Sequence, residues 1–137
     1  MDLRDALKAV GVSRLTLKPG NVCLVEDKAV VIPETPEDER LYHPNGRPCV
    51  VLSNDESCST VSYPIVSVAP ISHRVDLKDS PDFGILPTDE NGLRCESLIM
   101  LGHIQPVRKI DIFKIIGSLN EGEWDLMLAH LLSNFDR

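Results

Sequence analysis

Short apolar runs, separated by Gly, Pro and Asn residues, constrain the fold of this chain more than any other feature. Strand-like runs are predicted at 21–26, 29–32, 49–52, 61–69, 83–86, 97–101 and 112–116. Asn91-Gly92 is the clearest turn dipeptide between them. Many short strands joined by such turns are typical of a twisted sheet or a small barrel.

Helical patterns occur at both ends of the chain. Four apolar residues between 3 and 10 fall at helical spacing and Gly11 follows, which predicts a short amphipathic helix outside the main fold. Near the C-terminus, Asn120 and Glu123 are spaced as a capping box. The stripe expected to pack on the sheet comprises Trp124, Met127, Leu128 and Leu131.

These elements predict an α+β fold in a single domain spanning 1–137. The body at 17–137 is expected to be a small barrel-like sheet with a C-terminal helix. The segment 1–16 is expected to be an N-terminal helical extension. At 137 residues the chain is long enough to bury about two-thirds of its unfolded surface, as one domain requires.

The formal net charge of -7 argues against non-specific nucleic-acid binding, which needs a cationic surface. The charges are unevenly distributed, however. Acidic residues crowd 34–39 and 121–125. Basic residues group in two places, at Arg40, His43 and Arg47, and at Arg108, Lys109 and Lys114. A small cationic groove on an acidic body suits a site that takes a few nucleotides, whereas isolated solvated charges are the alternative reading.

Several features bear on location and cofactors. No apolar run approaches the roughly 20 residues needed to cross a bilayer, and the N-terminus lacks the apolar core of a signal peptide. We therefore expect a cytoplasmic protein with no membrane association. The cysteines at 23, 49, 58 and 95 lack metal-binding spacing. We expect them to be reduced and structural, with Cys23, Cys49 and Cys95 inside strand-like runs, and we expect neither a metal nor a cofactor.

Two strand ends carry the chemistry. Arg47-Pro48 closes a polar loop that extends from residue 33 and opens the apolar run at 49–52. A second apolar run at 65–71 ends in Ser72 and His73. A permanently charged side chain at one strand end, with a hydroxyl and an imidazole at another, could together bind a phosphate group and act on it.

In order and spacing, six segments of the chain resemble the MazF/PemK family of ribosome-independent endoribonuclease toxins. The segments are Lys-Pro-Gly-Asn-Val at 18–22, Arg-Pro-Cys-Val-Val-Leu-Ser at 47–53, Val-Ala-Pro-Ile-Ser at 68–72, the pair 83–86 and 91–93, the stretch 103–111, and Ile-Gly-Ser-Leu at 116–119. The resemblance extends from residue 19 to residue 132.

The resemblance implies an SH3-like barrel that acts as a homodimer, cleaves single-stranded RNA at short sequences without a metal ion, and is held silent by a cognate antitoxin protein. It places Arg47 and Ser72 at the family's catalytic arginine and threonine positions. Arg47 would clamp the non-bridging phosphate oxygens and Ser72 would donate a hydrogen bond to the same group. The candidates for RNA contacts are Arg40, His43, Gln105, Arg108 and Lys109.

The chain departs from the family pattern beside Gln105. Ile104 stands where many relatives carry an acid. His73 and His103 are candidate catalytic acids or bases, because imidazole titrates near neutral pH. The alternatives are a solvated strand end for His73 and a hydrogen-bonded turn residue for His103.

The loss of this acid also leaves a second function open. The alternative is a catalytically degenerate barrel that binds nucleic acid or protein, either in a regulatory role or as gyrase poisons of related fold do. The residues at 134–137 lack the Trp-Gly-Ile terminus of those poisons, which argues against the gyrase version.

Overall fold

The computed structural model describes residues 15–32 and 43–135. These residues form seven strands, β1 (Asn21–Val25), β2 (Arg47–Val51), β3 (Ile65–Ser72), β4 (Phe83–Ile85), β5 (Ser97–Ile99), β6 (Gln105–Arg108) and β7 (Ile112–Ser118). They also form two α-helices, α1 (Asp55–Ser59) and α2 (Glu121–Ser133). Single-turn 3-10 helices lie at Asp27–Ala29, Val75–Leu77, Leu101–His103 and Lys109–Asp111. The helix predicted between residues 3 and 10 lies outside the described residues.

All strand pairings are antiparallel, and the order is β4-β5-β3-β2-β1-β7, with β6 pairing to β3. The long strand β3 therefore contacts β2, β5 and β6 along different parts of its length. The α+β prediction is confirmed. The sheet is barrel-like in its strand order but remains open, since no pairing among the described strands closes it.

Alternating side chains divide the buried apolar residues into two clusters, as the pleat of a strand requires. The first cluster includes Cys23, Val25, Cys49, Val51, Val66 and Val68. The second cluster includes Val22, Val50, Ala69, Ile71, Ile99 and Met127. Helix α2 covers the second cluster, so the two faces of the central strands are both occupied.

Helix α2 begins at the predicted capping box. Asn120 Oδ1 accepts a hydrogen bond from Glu123 N at 2.8 Å, and Glu123 Oε1 accepts one from Asn120 N at 3.0 Å. Met127 is fully buried, and Trp124 and Leu131 pack against the same cluster. No described helix is both long and apolar enough to cross a membrane.

The prediction for Leu128 was wrong, because its side chain is 37% exposed. Successive residues of a helix are about 100° apart, so Leu128 is turned away from the line on which Met127 meets the sheet. The helix touches the sheet along a narrower stripe than the sequence indicates.

The prediction of a strand at 29–32 was also wrong. Residues Asp27–Ala29 form a 3-10 turn, and the backbone beyond it is bound by a side chain. The Gln105 amide accepts a hydrogen bond from Val31 N at 2.7 Å and donates one to Val31 O at 2.9 Å. The Gln105 side chain thus makes the hydrogen bonds to the Val31 backbone that a neighbouring strand would have made.

Two elements, α1 and β6, were not predicted from the sequence, and Cys95 was placed in the wrong kind of element. Helix α1 has no apolar periodicity and is fixed by its cap, since Asn54 Oδ1 accepts from Ser57 N at 2.9 Å. Strand β6 contains Pro106, which weakens a strand pattern. Cys95 lies in an exposed loop before β5 rather than in a strand, because β5 begins two residues later.

Candidate functional site

The pairing of β2 with β3 brings the strand ends that carry Arg47 and Ser72 side by side. Cys49 pairs with Pro70, and two residues further along each antiparallel strand are Arg47 and Ser72. Both residues also line the same cleft. The ends of β2 and β3, where the sequence predicts a phosphate site, therefore lie together at one edge of the sheet.

The turn before Arg47 requires a glycine. Gly46 has a φ of 94°, a conformation that side chains rarely adopt, and a Cβ there would overlap the ring of Phe113. The N–H of Gly46 bonds to the carbonyl of His43 at 3.0 Å. This turn delivers the chain into β2 with Arg47 as its first residue.

The side chain of Arg47 is largely buried. Its Nε donates to Asp27 Oδ1 at 3.0 Å, and the two side chains are 12% and 8% exposed. We therefore expect the removal of Arg47 to lower the stability of the fold. A buried ion pair loses several kcal/mol of stability when one partner is removed.

Ser72 is half-buried at the end of β3. Its Oγ accepts a hydrogen bond from Arg74 N at 3.1 Å, which leaves the hydroxyl proton available to an acceptor. No described residue accepts that proton. The hydroxyl can therefore donate to a ligand without breaking a protein hydrogen bond.

A cleft of about 890 Å³ extends from this edge of the sheet. Its lining includes Arg47, Ser72, His43, His73, Arg74, Arg94, Cys95 and Lys114. Among the described residues that line it, four are Arg or Lys and two, Asp79 and Asp82, are carboxylates. Basic side chains therefore outnumber carboxylates in the lining, and two of the four, Arg47 and Arg74, pair with carboxylates outside it, Asp27 and Asp76.

The charges in the cleft differ in how tightly they are held. Arg74 forms a two-point pair with Asp76, and this hydrogen bonding lowers the pKa of the Asp76 carboxyl. Asp82 is buried and accepts from Asp79 N at 2.9 Å, so it serves the turn. Arg94 and Lys114 are exposed and have no ion pair with any described residue.

The structure brings four of the predicted site residues together in the cleft, namely Arg47, Ser72, His73 and His43. His73 is exposed, at the position directly after β3. Arg40 lies outside the described residues. These placements agree with a shared site, and the individual roles remain predictions.

Two of the predicted site residues, His103 and Gln105, lie outside the cleft and take part in hydrogen bonds to the backbone. His103 ends a 3-10 turn, and its carbonyl accepts from Gln105 Nε2 at 3.0 Å. The same amide binds Val31 on both sides, so both N–H donors of Gln105 are used within the protein. Neither residue lines the cleft.

The two cations at the end of β6 also serve the fold. Arg108 donates to Asp111 through two nitrogens, at 3.0 and 3.2 Å. Lys109 is buried, and its ammonium donates to the carbonyls of Ser57 and Thr60 at 2.6 and 3.0 Å. Lys109 therefore closes the C-terminal end of α1 instead of facing a ligand.

Sequence reasoning missed Asp27, Arg74 and Arg94 as members or supports of this site. Arg74 follows His73 directly, so continuing the reading of that strand end by one residue would have included it. Arg94 follows the Asn91-Gly92 turn, and a basic residue beside a turn was the available signal. Asp27 carries no local signal, because only the pairing of β1 with β2 brings it to Arg47.

By its fold and its cleft, the chain is a small α+β protein in which an arginine and a hydroxyl line a cleft at the edge of an antiparallel sheet. The sequence comparison assigns the chain within that class. The family model described as PemK-like, MazF-like toxin of type II toxin-antitoxin system matches residues 29–135. The chain belongs to this toxin family.

Solved structures share the fold at low sequence identity. The Mycobacterium tuberculosis toxin MazF-mt6 superposes with a TM-score of 0.60 at 18% identity, covering 85% of this chain and 96% of that one. MazF from Deinococcus radiodurans gives 0.61 at 11%, covering 90% and 99%. An endoribonuclease in complex with its cognate antitoxin, from a mycobacterial species, gives 0.58 at 12%, covering 87% and 94%. No curated protein matches the chain.

Proposed function

We propose that this protein is the toxin of a type II toxin-antitoxin pair and that it cleaves single-stranded RNA, including mRNA, without a metal ion. The observation that carries the proposal is that Arg47 and Ser72, at the neighbouring ends of β2 and β3, line one cleft. Family membership supports the toxin role. The cytoplasmic location remains a prediction.

The chemistry uses groups that the cleft supplies. The 2′-hydroxyl of the RNA loses its proton to a base and attacks the adjacent phosphorus, forming a 2′,3′-cyclic phosphate. The bond to the 5′-oxygen of the next nucleotide breaks as that oxygen gains a proton. Arg47 balances the charge that develops on the non-bridging oxygens, and Ser72 donates a hydrogen bond to the same group. His43 and His73 are the imidazoles that line the cleft, and His73 is the one proposed to exchange a proton.

The remaining cations of the cleft bind the flanking phosphates. Arg94 and Lys114 are exposed, line the cleft and have no described acidic partner. His43 lines the cleft near Arg47. Two or three phosphate contacts suit a short single strand, and they give a modest dependence of affinity on salt.

The proposed assembly is a homodimer that an antitoxin binds. Helix α2 leaves Leu126 and Leu132 exposed, at 66% and 64%, and Phe135 beyond its end is 78% exposed. A second copy of the chain would cover these side chains. A dimeric mass at micromolar concentration is expected, with Leu132→Glu shifting it towards the monomer. A monomeric wild type would contradict this part of the proposal.

The function is tested with the purified full chain and a single-stranded transcript in the presence of EDTA. We expect cuts at a short recurring sequence, with a cyclic phosphate on the upstream fragment. The same cut sites should appear among RNA ends sequenced after brief expression in cells. Cleavage only with added magnesium would contradict the mechanism.

The degenerate-barrel alternative has its own signature. The loss of an acid beside Gln105 favours it, since Ile104 occupies that position and is 38% exposed. It predicts RNA or protein binding without RNA cleavage at any metal concentration. Toxicity accompanied by arrested DNA supercoiling, with intact RNA, would identify the gyrase version.

A further inference from the structure

Asp27 is a buried carboxylate that contacts the candidate catalytic arginine from outside the cleft. Its Oδ1 lies 3.0 Å from Arg47 Nε, and its side chain is 8% exposed. Arg47 lines the cleft, whereas Asp27 does not. The carboxylate therefore contacts the arginine without being placed to contact a substrate.

The fold builds this contact from neighbouring strands. Val25 at the end of β1 pairs with Arg47, so Asp27 lies only two residues beyond the pairing partner of the arginine. The 3-10 turn Asp27–Ala29 follows directly. Two anchors fix that turn, because Glu26 N donates to the carbonyl of Asp111 at 2.9 Å and Val30 is fully buried.

We propose that Asp27 is a positioning residue, which fixes the plane of the Arg47 guanidinium so that it meets the RNA phosphate in a single orientation. The proposal rests on the proposed function. An arginine side chain loses rotamer freedom when it is ordered. Folding orders Arg47 in advance through Asp27, so substrate binding does not bear that cost.

A purely structural ion pair would give different behaviour. If Asp27 only stabilised the fold, its loss would lower the thermal midpoint and leave the rate of the folded protein unchanged. If it acts through Arg47, its effect on cleavage must vanish once Arg47 is absent. Coupling between the two substitutions separates these roles, because residues that act as a unit give non-additive effects.

The experiment measures single-turnover RNA cleavage and thermal midpoint for Asp27→Asn, Arg47→Ala and the double variant. Asp111→Asn is the matched control. Asp111 is also a buried carboxylate, accepting from Arg108 Nε at 3.0 Å, and it lies outside the cleft. All rates are taken at a temperature well below each variant's midpoint.

We expect Asp27→Asn to slow cleavage about tenfold or more, since a small displacement of a catalytic group has effects of this size. In the Arg47→Ala background the same change should have less than a twofold effect, and Asp111→Asn should lower only the midpoint. If Asp27→Asn does not fold, Asp27→Glu keeps the charge but displaces the guanidinium, and it should slow cleavage. Wild-type rates in the folded Asp27 variants, or an equal loss in the Arg47→Ala background, would overturn the proposal. A wild type that cuts no RNA would instead refute the proposed function.

Discussion

Arg47 Nε donates to Asp27 Oδ1 at 3.0 Å, and this ion pair lies at the sheet edge where β2 meets the cleft. One residue thereby belongs to the fold and to the candidate site at once. Its substitution is expected to change stability and chemistry together. Rates for Arg47 variants must therefore be compared at temperatures where each variant is folded.

The Ser72 hydroxyl is predicted to contribute to the transition state and little to stability. Ser72→Ala should slow RNA cleavage about a hundredfold, the usual loss when one such hydrogen-bond donor is removed. Ser72→Thr retains a hydroxyl at the same position and should keep most of the activity. Single-turnover rates of the two variants check this, and equal rates for Ser72→Ala and wild type would remove the serine from the mechanism.

Gln105 is predicted to stabilise the fold and not to bind RNA. Its amide makes two hydrogen bonds to Val31, and each is worth about 1 kcal/mol. Gln105→Leu should lower the free energy of unfolding by about 2 kcal/mol and speed hydrogen exchange at the Val31 amide. RNA affinity at constant salt should stay within twofold. A large loss of affinity with an unchanged exchange rate would restore the RNA-binding role.

Lys109 is predicted to hold helix α1 in place. Its ammonium donates to two carbonyls at the end of α1 and lies 5.9 Å from the ring centre of Tyr63. Lys109→Met keeps the apolar stem but leaves both carbonyls without this donor, so the free energy of unfolding should fall by about 2 kcal/mol. Lys114→Met is the control, because Lys114 is exposed in the cleft. It should lower RNA affinity and leave stability unchanged; the reverse pattern would contradict the assignment.

The four thiols are predicted to differ sharply in reactivity. Burial raises the pKa of the Cys23 thiol to about 12 and also raises the pKa of Cys49 and Cys58. Because the thiolate is the reactive form, these three should be protected at pH 8 in the native protein. Cys95 is exposed and should react first with a thiol reagent. All four should react after denaturation, and rapid labelling of Cys23 in the native state would contradict this.

Cys95 also reports on occupancy of the cleft, since it forms part of the lining. An uncleavable 2′-O-methyl oligonucleotide should slow its labelling in a manner that salt reverses. A fully deoxy duplex should protect it less, because the proposed site takes a single strand. Unchanged labelling with saturating oligonucleotide would place the RNA elsewhere.

The short strands and the terminal helix could be predicted because their signals are local. Short apolar runs and turn residues define β1, β2 and β3, and Asn120 with Glu123 defines the start of α2. The 3-10 turn at Asp27–Ala29 and the exposed position of Cys95 could not be read in the same way. They depend on contacts between segments far apart in sequence, such as Val31 with Gln105.

The candidate site was predictable in part for the same reason. Arg47 and Ser72 stand out as polar residues at the ends of apolar runs, and the register brings them together. The uses of Gln105 and Lys109 follow from partners 74 and 49 or more residues away, which no local pattern reveals. Asp27 is likewise defined only by strand pairing.

The central claim is that Arg47 stabilises charge developing on RNA phosphate, and single-turnover cleavage in EDTA tests it most directly. Arg47→Ala, measured well below its midpoint, should cut RNA at least a hundredfold more slowly than wild type, a loss of about 3 kcal/mol of transition-state stabilisation. Arg47→Lys should recover only part of the rate, because an ammonium lacks the two-point contact. A folded Arg47→Ala protein that cleaves RNA at the wild-type rate would contradict the account.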